Sequence, residues 1–262
     1  MPSSSPLLSV SVSVDYAGKP GVLRNAAFEM QRGEVLGLVG QSGSGKSTLA
    51  LAILKLLNLN AARATGELSF LGRDLMPLGE KEMRQVRGRQ IGLVLQSPMS
   101  SLNPALRIGT QLMEAWRAHA EGSRERARDY LLDLLGSVSL PAEEPFLRRY
   151  PRQLSVGLAQ RVLIAMAIVH HPALLIADEP TSALDGITQA EILQLFDRLN
   201  RGLRMGILYI SHDLLSIASL CHRVAILHEG QIVECGKTQQ IFQNPAHPYT
   251  RRLIDALPKN PF

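Results

Sequence analysis

Eight residues, Gly40-Gln41-Ser42-Gly43-Ser44-Gly45-Lys46-Ser47, constrain this chain more than any other stretch. They match G-x4-G-K-[ST] in full. The glycines let the backbone wrap closely, so that consecutive N–H groups point at phosphate oxygens. Gly40, Ser42, Gly43, Ser44 and Gly45 then form the cradle of a nucleotide, with Lys46 reaching its β- and γ-phosphates. The Ser47 hydroxyl ligates Mg²⁺ and Thr48 adds a hydroxyl near the α-phosphate. Context separates this reading from an ordinary Gly/Ser turn. Residues 35–39 are a short apolar run before the loop, and residues 49–57 read as helix after it. Strand, glycine loop, helix opens an α/β nucleotide-binding unit.

A second element supplies acids. In Leu174-Leu175-Ile176-Ala177-Asp178-Glu179, four apolar residues bury a strand and two carboxylates appear where it ends. Asp178 fits as the group holding Mg²⁺, directly or through water. Glu179 faces the γ-phosphate and polarises the attacking water. Such a pair is weak evidence alone; beside a phosphate loop it is strong.

The rest of the chain organises around these two. Residues 8–14 alternate apolar residues with Ser, a period-2 strand with one buried face. Residues 97–160 show helical spacing (Ile108, Gln111, Leu112, Ala115, then 130–135) and no convincing strand, which predicts a helical subdomain inserted into the α/β core. Residues 173–177 and 206–210 have the length of buried parallel strands, with a helix over 188–199 between them. Residues 223–227 and 231–234 flank Glu229-Gly230 and predict a hairpin. The Pro-rich tail, 244–262, is expected to hold one short helix and then fray.

Composition narrows the partners. A chain of 262 residues buries a full core. Its net charge of +5 is spread too thinly to mark a nucleic-acid surface, so no nucleic-acid partner is expected. The densest basic patch, Arg84, Arg87 and Arg89, reads as a solvated face. Two cysteines, Cys221 and Cys235, make neither a disulfide framework nor a metal site, which fits a reducing cytosol. No stretch shows a signal-peptide pattern, and none approaches the roughly 20 apolar residues that span a bilayer. Any membrane role therefore runs through a partner.

Between the two phosphate-handling elements lies Leu154-Ser155-Val156-Gly157, followed by Gln160-Arg161. It resembles the signature motif of ABC transporter ATPases. Gln96, after an apolar run at 91–95, is similar to that family's Q-loop; Ser182-Ala183-Leu184-Asp185 resembles its D-loop; His212 resembles its switch histidine. Tyr16 stands where the family stacks an aromatic on adenine. The motifs follow the family's order from about residue 8 to 235. The resemblance implies an α/β fold: a P-loop NTPase core over 1–243, with an antiparallel β subdomain, the inserted helical subdomain at about 97–160, and a tail over 244–262. It also implies an ATPase in which two cassettes meet head to tail. Ser155 and Gly157, at a helix N-terminus, then donate to the γ-phosphate held by the partner. Gln96 senses Mg²⁺ and the attacking water while touching a membrane subunit, and His212 contacts the γ-phosphate.

Three further segments resemble the dipeptide, oligopeptide and nickel importer branch: residues 97–104 after the Q-loop, Tyr150-Pro151-Arg152-Gln153-Leu154, and Asn244-Pro245-Ala246-His247-Pro248-Tyr249-Thr250. The branch implies a subunit on the cytoplasmic face of the bacterial inner membrane, serving uptake of peptides, nickel or a metal chelate. Its partners would be two transmembrane permease subunits, a second ATPase subunit in a heterodimer and, indirectly, a solute-binding protein. An accessory ATPase of a carbon–phosphorus lyase complex resembles the same branch and stays open as the alternative. Val156 departs from the family, which usually has Gly there. Gly permits close backbone approach and conformations costly for a β-branched residue, so two readings of Val156 stay open: it impairs the composite site that uses this signature, while the site using Lys46 and Glu179 stays active, or it is tolerated with the Gly157 amide still in place.

Overall fold

The computed structural model describes residues 5–57 and 62–257. The alternating Ser segment forms β1 (Leu8–Tyr16), with Leu8, Val10, Val12 and Val14 buried and the residues between them half-exposed. β1 is central in a four-stranded antiparallel sheet, between β2 (Lys19–Met30) and β4 (Ala62–Phe70), with the two-residue β5 (Arg73–Asp74) at the edge. The second sheet has six strands: β3 (Val35–Val39), β6 (Ile91–Val94), β7 (Leu174–Asp178), β8 (Gly206–Ser211), β9 (Arg223–His228) and β10 (Gln231–Lys237). Their order is β10-β9-β3-β8-β7-β6, parallel except for β10, which closes the expected hairpin antiparallel to β9. Every residue of β3, β7 and β8 is buried, because both faces of this sheet are covered and no polar alternation is needed.

Two apolar layers do the covering. On one face Leu36, Leu38, Ile176, Leu208 and Ile210 pack with the buried side of β1 and with α1 (Lys46–Ile53). On the other, Val35, Val39, Ala177, Ile207 and Tyr209 pack with the long helices. Between β5 and β6 lies α2 (Glu80–Val86). Between β6 and β7 the chain is helical: α3 (Pro98–Ser101), α4 (Ile108–Arg117), α5 (Arg124–Ser137), α6 (Glu144–Leu147) and α7 (Val156–Ile168). α4 buries Ile108, Gln111 and Leu112 as the spacing predicts, but its fourth buried residue is Trp116, with the expected Ala115 only half-buried beside it. α8 (Gly186–Leu203), α9 (Leu214–Leu220), α10 (Thr238–Gln243) and α11 (Pro248–Asp255) complete the structure. Polar side chains start several helices: Ser123 caps α5, Ser155 α7, Asp185 α8 and Asp213 α9. Among the described residues no helix is long and apolar enough to cross a membrane.

Some expectations need correction. The helix expected over 49–57 opens at Lys46, directly after the glycine loop, and stops at Ile53. It stops because Lys55 takes a left-handed backbone (φ 51°), and its ammonium turns away to donate to the Met76 and Leu78 carbonyls. The helix expected over 188–199 runs from Gly186 to Leu203, since the Asp185 cap starts it earlier. Arg87 is no solvated residue. Its guanidinium donates to the Leu54 and Lys55 carbonyls past the end of α1 and to Glu80, so it satisfies acceptors that the broken helix leaves free. The tail carries the expected short helix, α11; the fraying expected beyond it falls on residues 258–262, outside the described residues.

Candidate active site

Parallel strands carry their C-terminal ends to one edge, and this edge collects the candidate residues. The loop after β3, Gln96 just past β6, Asp178 ending β7 and His212 just past β8 all sit there. The loop's glycines have separate reasons. Gly43 and Gly45 hold positive φ (79° and 108°), the region glycine enters freely. Gly40 instead lies against a neighbour: a Cβ there would meet the Leu227 carbonyl oxygen at 2.3 Å and Ser44 Oγ at 2.6 Å. The Ser44 hydroxyl is buried against Gly40.

The loop borders an open cleft of about 730 Å³. Tyr16, Ser42, Gly43, Gly45, Lys46, Ser47, Thr48, Gln96, Glu179 and His212 line it, which gathers ten of the sequence-predicted residues. The Tyr16 hydroxyl lies 3.4 Å from Thr48 Oγ1. Lys46 is 7% exposed and folded back on its own loop, donating to the carbonyls of Gly40 (2.8 Å) and Gln41 (3.1 Å). Its ammonium is 4.0 Å from Glu179 Oε1. Burial pulls the Lys46 pKa below its usual value, opposed by the charges of Glu179 and Asp178. The His212 Nδ1–H donates to Glu179 Oε2 at 2.7 Å, since a carboxylate only accepts. Glu179 thus lies between two basic side chains on a left-handed backbone (φ 49°), while its own N–H donates to Ile210 across the strands. A non-glycine residue held there stores strain, and such outliers collect at functional sites.

Asp178 sits behind Glu179. Burial raises its carboxyl pKa; a hydrogen bond from Ser47 works the other way, and Oδ1 is buried without a hydrogen-bond partner. A buried carboxylate oxygen without a partner, beside a hydroxyl, is an unmet set of hard oxygen donors and fits a divalent cation such as Mg²⁺. Among the described residues no group of three or more His, Cys, Asp or Glu side chains forms an alternative metal site.

Ser155 and Gly157 lie outside the cleft, at the start of α7. Ser155 Oγ accepts the Leu158 N–H, and a Cβ at Gly157 would meet Thr188 Cγ2 at 2.6 Å. Close packing against α8 thus requires that glycine, whatever else it contacts. Val156 is the first residue of α7, on ordinary helical backbone and 39% exposed. The expected backbone penalty of a β-branched residue is therefore absent, and only its side chain is left to obstruct. Asp185 caps α8 through the Ile187 and Thr188 N–H groups.

Lys19 and Val22 line the cleft and were missed from the sequence. The available signal was the turn through Gly18, which pairs Tyr16 with Lys19 across β1 and β2. No sequence signal marked the left-handed Glu179.

Comparison with known proteins identifies the family and the fold. A family model described as ABC transporter matches residues 23–182, and another, described as oligopeptide/dipeptide transporter, C-terminal region, matches residues 233–261. The chain is 44% identical over 244 residues to the oligopeptide transport ATP-binding protein OppD of Bacillus subtilis, covering 93% of this chain and 68% of that one. It is 44% identical over 247 residues to the glutathione import ATP-binding protein GsiA of Escherichia coli (strain K12), covering 92% of this chain but only 40% of that longer protein. Among solved structures, cbiO1 from Clostridium perfringens, part of the ABC transporter complex cbiONQ, superposes with a TM-score of 0.80 at 24% identity, covering 91% of both chains. The ATP-binding cassette MJ0796, as a dimer bound to ADP and Pi, gives 0.76 at 28% identity, covering 88% of this chain and 98% of that one.

Proposed function

Because the chain belongs to the ABC transporter ATPase family, we propose that it hydrolyses ATP to drive an importer of peptides through membrane-embedded partners. The observation that carries this is the convergence on one cleft of the glycine loop, Lys46, Glu179 and His212, with Asp178 buried behind them. ATP lies with its triphosphate along the loop, where the backbone N–H groups and the start of α1 offer positive charge. Lys46 leaves the Gly40 and Gln41 carbonyls for the β- and γ-phosphate oxygens, a direction its burial favours because phosphate restores a counter-charge. The adenine stacks on Tyr16. Ser47, Asp178 and Gln96 hold Mg²⁺, which when bound neutralises phosphate charge. Glu179 polarises the attacking water, and His212, already on its Oε2, keeps that carboxylate aimed and contacts the γ-phosphate.

Ser155 and Gly157 serve a nucleotide held by a second cassette, consistent with their distance from this chain's own cleft. That partner is a sister ATPase in a heterodimer, and two permease subunits complete the assembly at the cytoplasmic face of the cell membrane. A solute-binding protein delivers cargo to them. The relatives described above are named for oligopeptide transport and glutathione import. This favours a peptide cargo over nickel or a metal chelate, and over a carbon–phosphorus lyase assembly.

Affinity purification of the tagged chain from membranes tests the reading. Two multi-span proteins and a second cassette are expected; recovery with soluble enzyme subunits instead would refute it. In parallel, calorimetry with Mg-ATP should show binding that Lys46→Ala abolishes.

A further inference from the structure

A contact between the phosphate loop and the C-terminal tail plays no part in the chemistry above. The peptide joining Gly40 to Gln41 is held from both sides. Lys46 Nζ donates to its carbonyl, that of Gly40, at 2.8 Å, and its N–H, that of Gln41, donates to the Tyr249 hydroxyl at 3.3 Å. Tyr249 is on α11 and only 4% exposed. Its ring stacks on His228, the last residue of β9, with centroids 3.7 Å apart and planes within 15°. The tail leading to it is tied down as well. The Glu234 carboxylate on β10 accepts the Ala246 and His247 N–H groups at 2.8 and 3.0 Å, and the Tyr249 N–H donates to His247 Nδ1 at 3.2 Å. Tyr249 does not line the cleft; it meets the phosphate loop at that peptide.

We propose that Tyr249 is a positioning residue for nucleotide binding: its hydroxyl fixes the plane of the Gly40–Gln41 peptide and so sets where Lys46 rests before a nucleotide arrives. This rests on the reading of the loop as an ATP cradle. A peptide plane is rigid, so anchoring its N–H also orients its carbonyl. Rotation of that plane would carry the Gly40 carbonyl away from Lys46 and disorder the start of the cradle. A loop already ordered loses less freedom when phosphate arrives. The tail thereby reaches the nucleotide site without touching the nucleotide.

The test uses the full chain. Tyr249→Phe keeps the ring and its stack on His228 while removing the hydroxyl. Loss of one neutral hydrogen bond corresponds to about a 3- to 10-fold rise in KM and Kd for Mg-ATP. The kcat is expected to stay within about 2-fold, because Glu179 and His212 are untouched. A role in stability alone would lower the melting temperature and leave KM where it was, and that result overturns the proposal. Hydrogen exchange of the Gln41 amide gives an independent measurement on the wild-type protein. Slow exchange is expected, faster in Tyr249→Phe; exchange at the rate of an open loop in the wild type overturns the proposal even if the variant does not fold. A wild-type protein that binds no Mg-ATP would refute the ATP-cradle reading, while the Gln41 amide would still decide whether the tail holds the loop.

Discussion

Glu179→Gln separates the chemistry of this cleft from its binding. The amide keeps the length and shape of the side chain, so the His212 Nδ1–H retains an acceptor where Oε2 now lies at 2.7 Å. Charge and basicity are lost. A positioned general base contributes about 10²- to 10⁴-fold, which corresponds to about 3–5 kcal/mol in the barrier. Binding should move the other way. The side chain of Glu179 is 11% exposed and beside Lys46, so its negative charge opposes an arriving triphosphate and competes for the ammonium. Removing it is expected to leave Mg-ATP affinity unchanged or tighter. Phosphate release at saturating Mg-ATP measures the first effect and equilibrium titration the second. A fall in rate of less than about 10-fold would refute Glu179 as the group acting on water. Binding weakened about 10-fold would refute the charge argument.

Asp178→Asn is expected to raise the melting temperature of the nucleotide-free protein at neutral pH by about 2–4 °C, from relief of about 1 kcal/mol of buried charge, while Mg²⁺-dependent binding is lost. Burial raises the Asp178 pKa in the folded state, so the ionised form costs stability above that value. The advantage of Asn should therefore shrink as pH falls through the raised pKa toward 3.8; an advantage independent of pH in melting curves would contradict this cause. Gly40→Ala forces a methyl group against the Leu227 carbonyl of β9 and should cost about 2–3 kcal/mol, read as a loss of about 5–10 °C by calorimetry. Gly43→Ala, with open space around it but positive φ, should cost about 1 kcal/mol; equal losses would show that crowding does not distinguish the two. Val156→Gly in the assembled dimer should raise ATPase and transport rates, because only the exposed side chain stands at the start of α7; unchanged rates would dismiss Val156 as an obstruction.

What could be read from the residues themselves was local chemistry. The alternation of β1, the apolar runs of β3, β7 and β8 and the hairpin through Glu229-Gly230 all follow from short-range rules. Side-chain period, φ restrictions and hydrogen bonding within a few residues decide them. The phosphate loop belongs to this class, because its glycines, Lys46 and Ser47 are contiguous. The tertiary structure decided the rest. It set Glu179 between Lys46 and His212 on a left-handed backbone, gave Arg87 the carbonyls beyond α1, brought Lys19 to the cleft wall and joined Tyr249 to Gln41. These meetings depend on strand order and on which helix covers which face. Periodicity along the chain does not encode that order, because a strand buried on both faces reads the same at any position in its sheet.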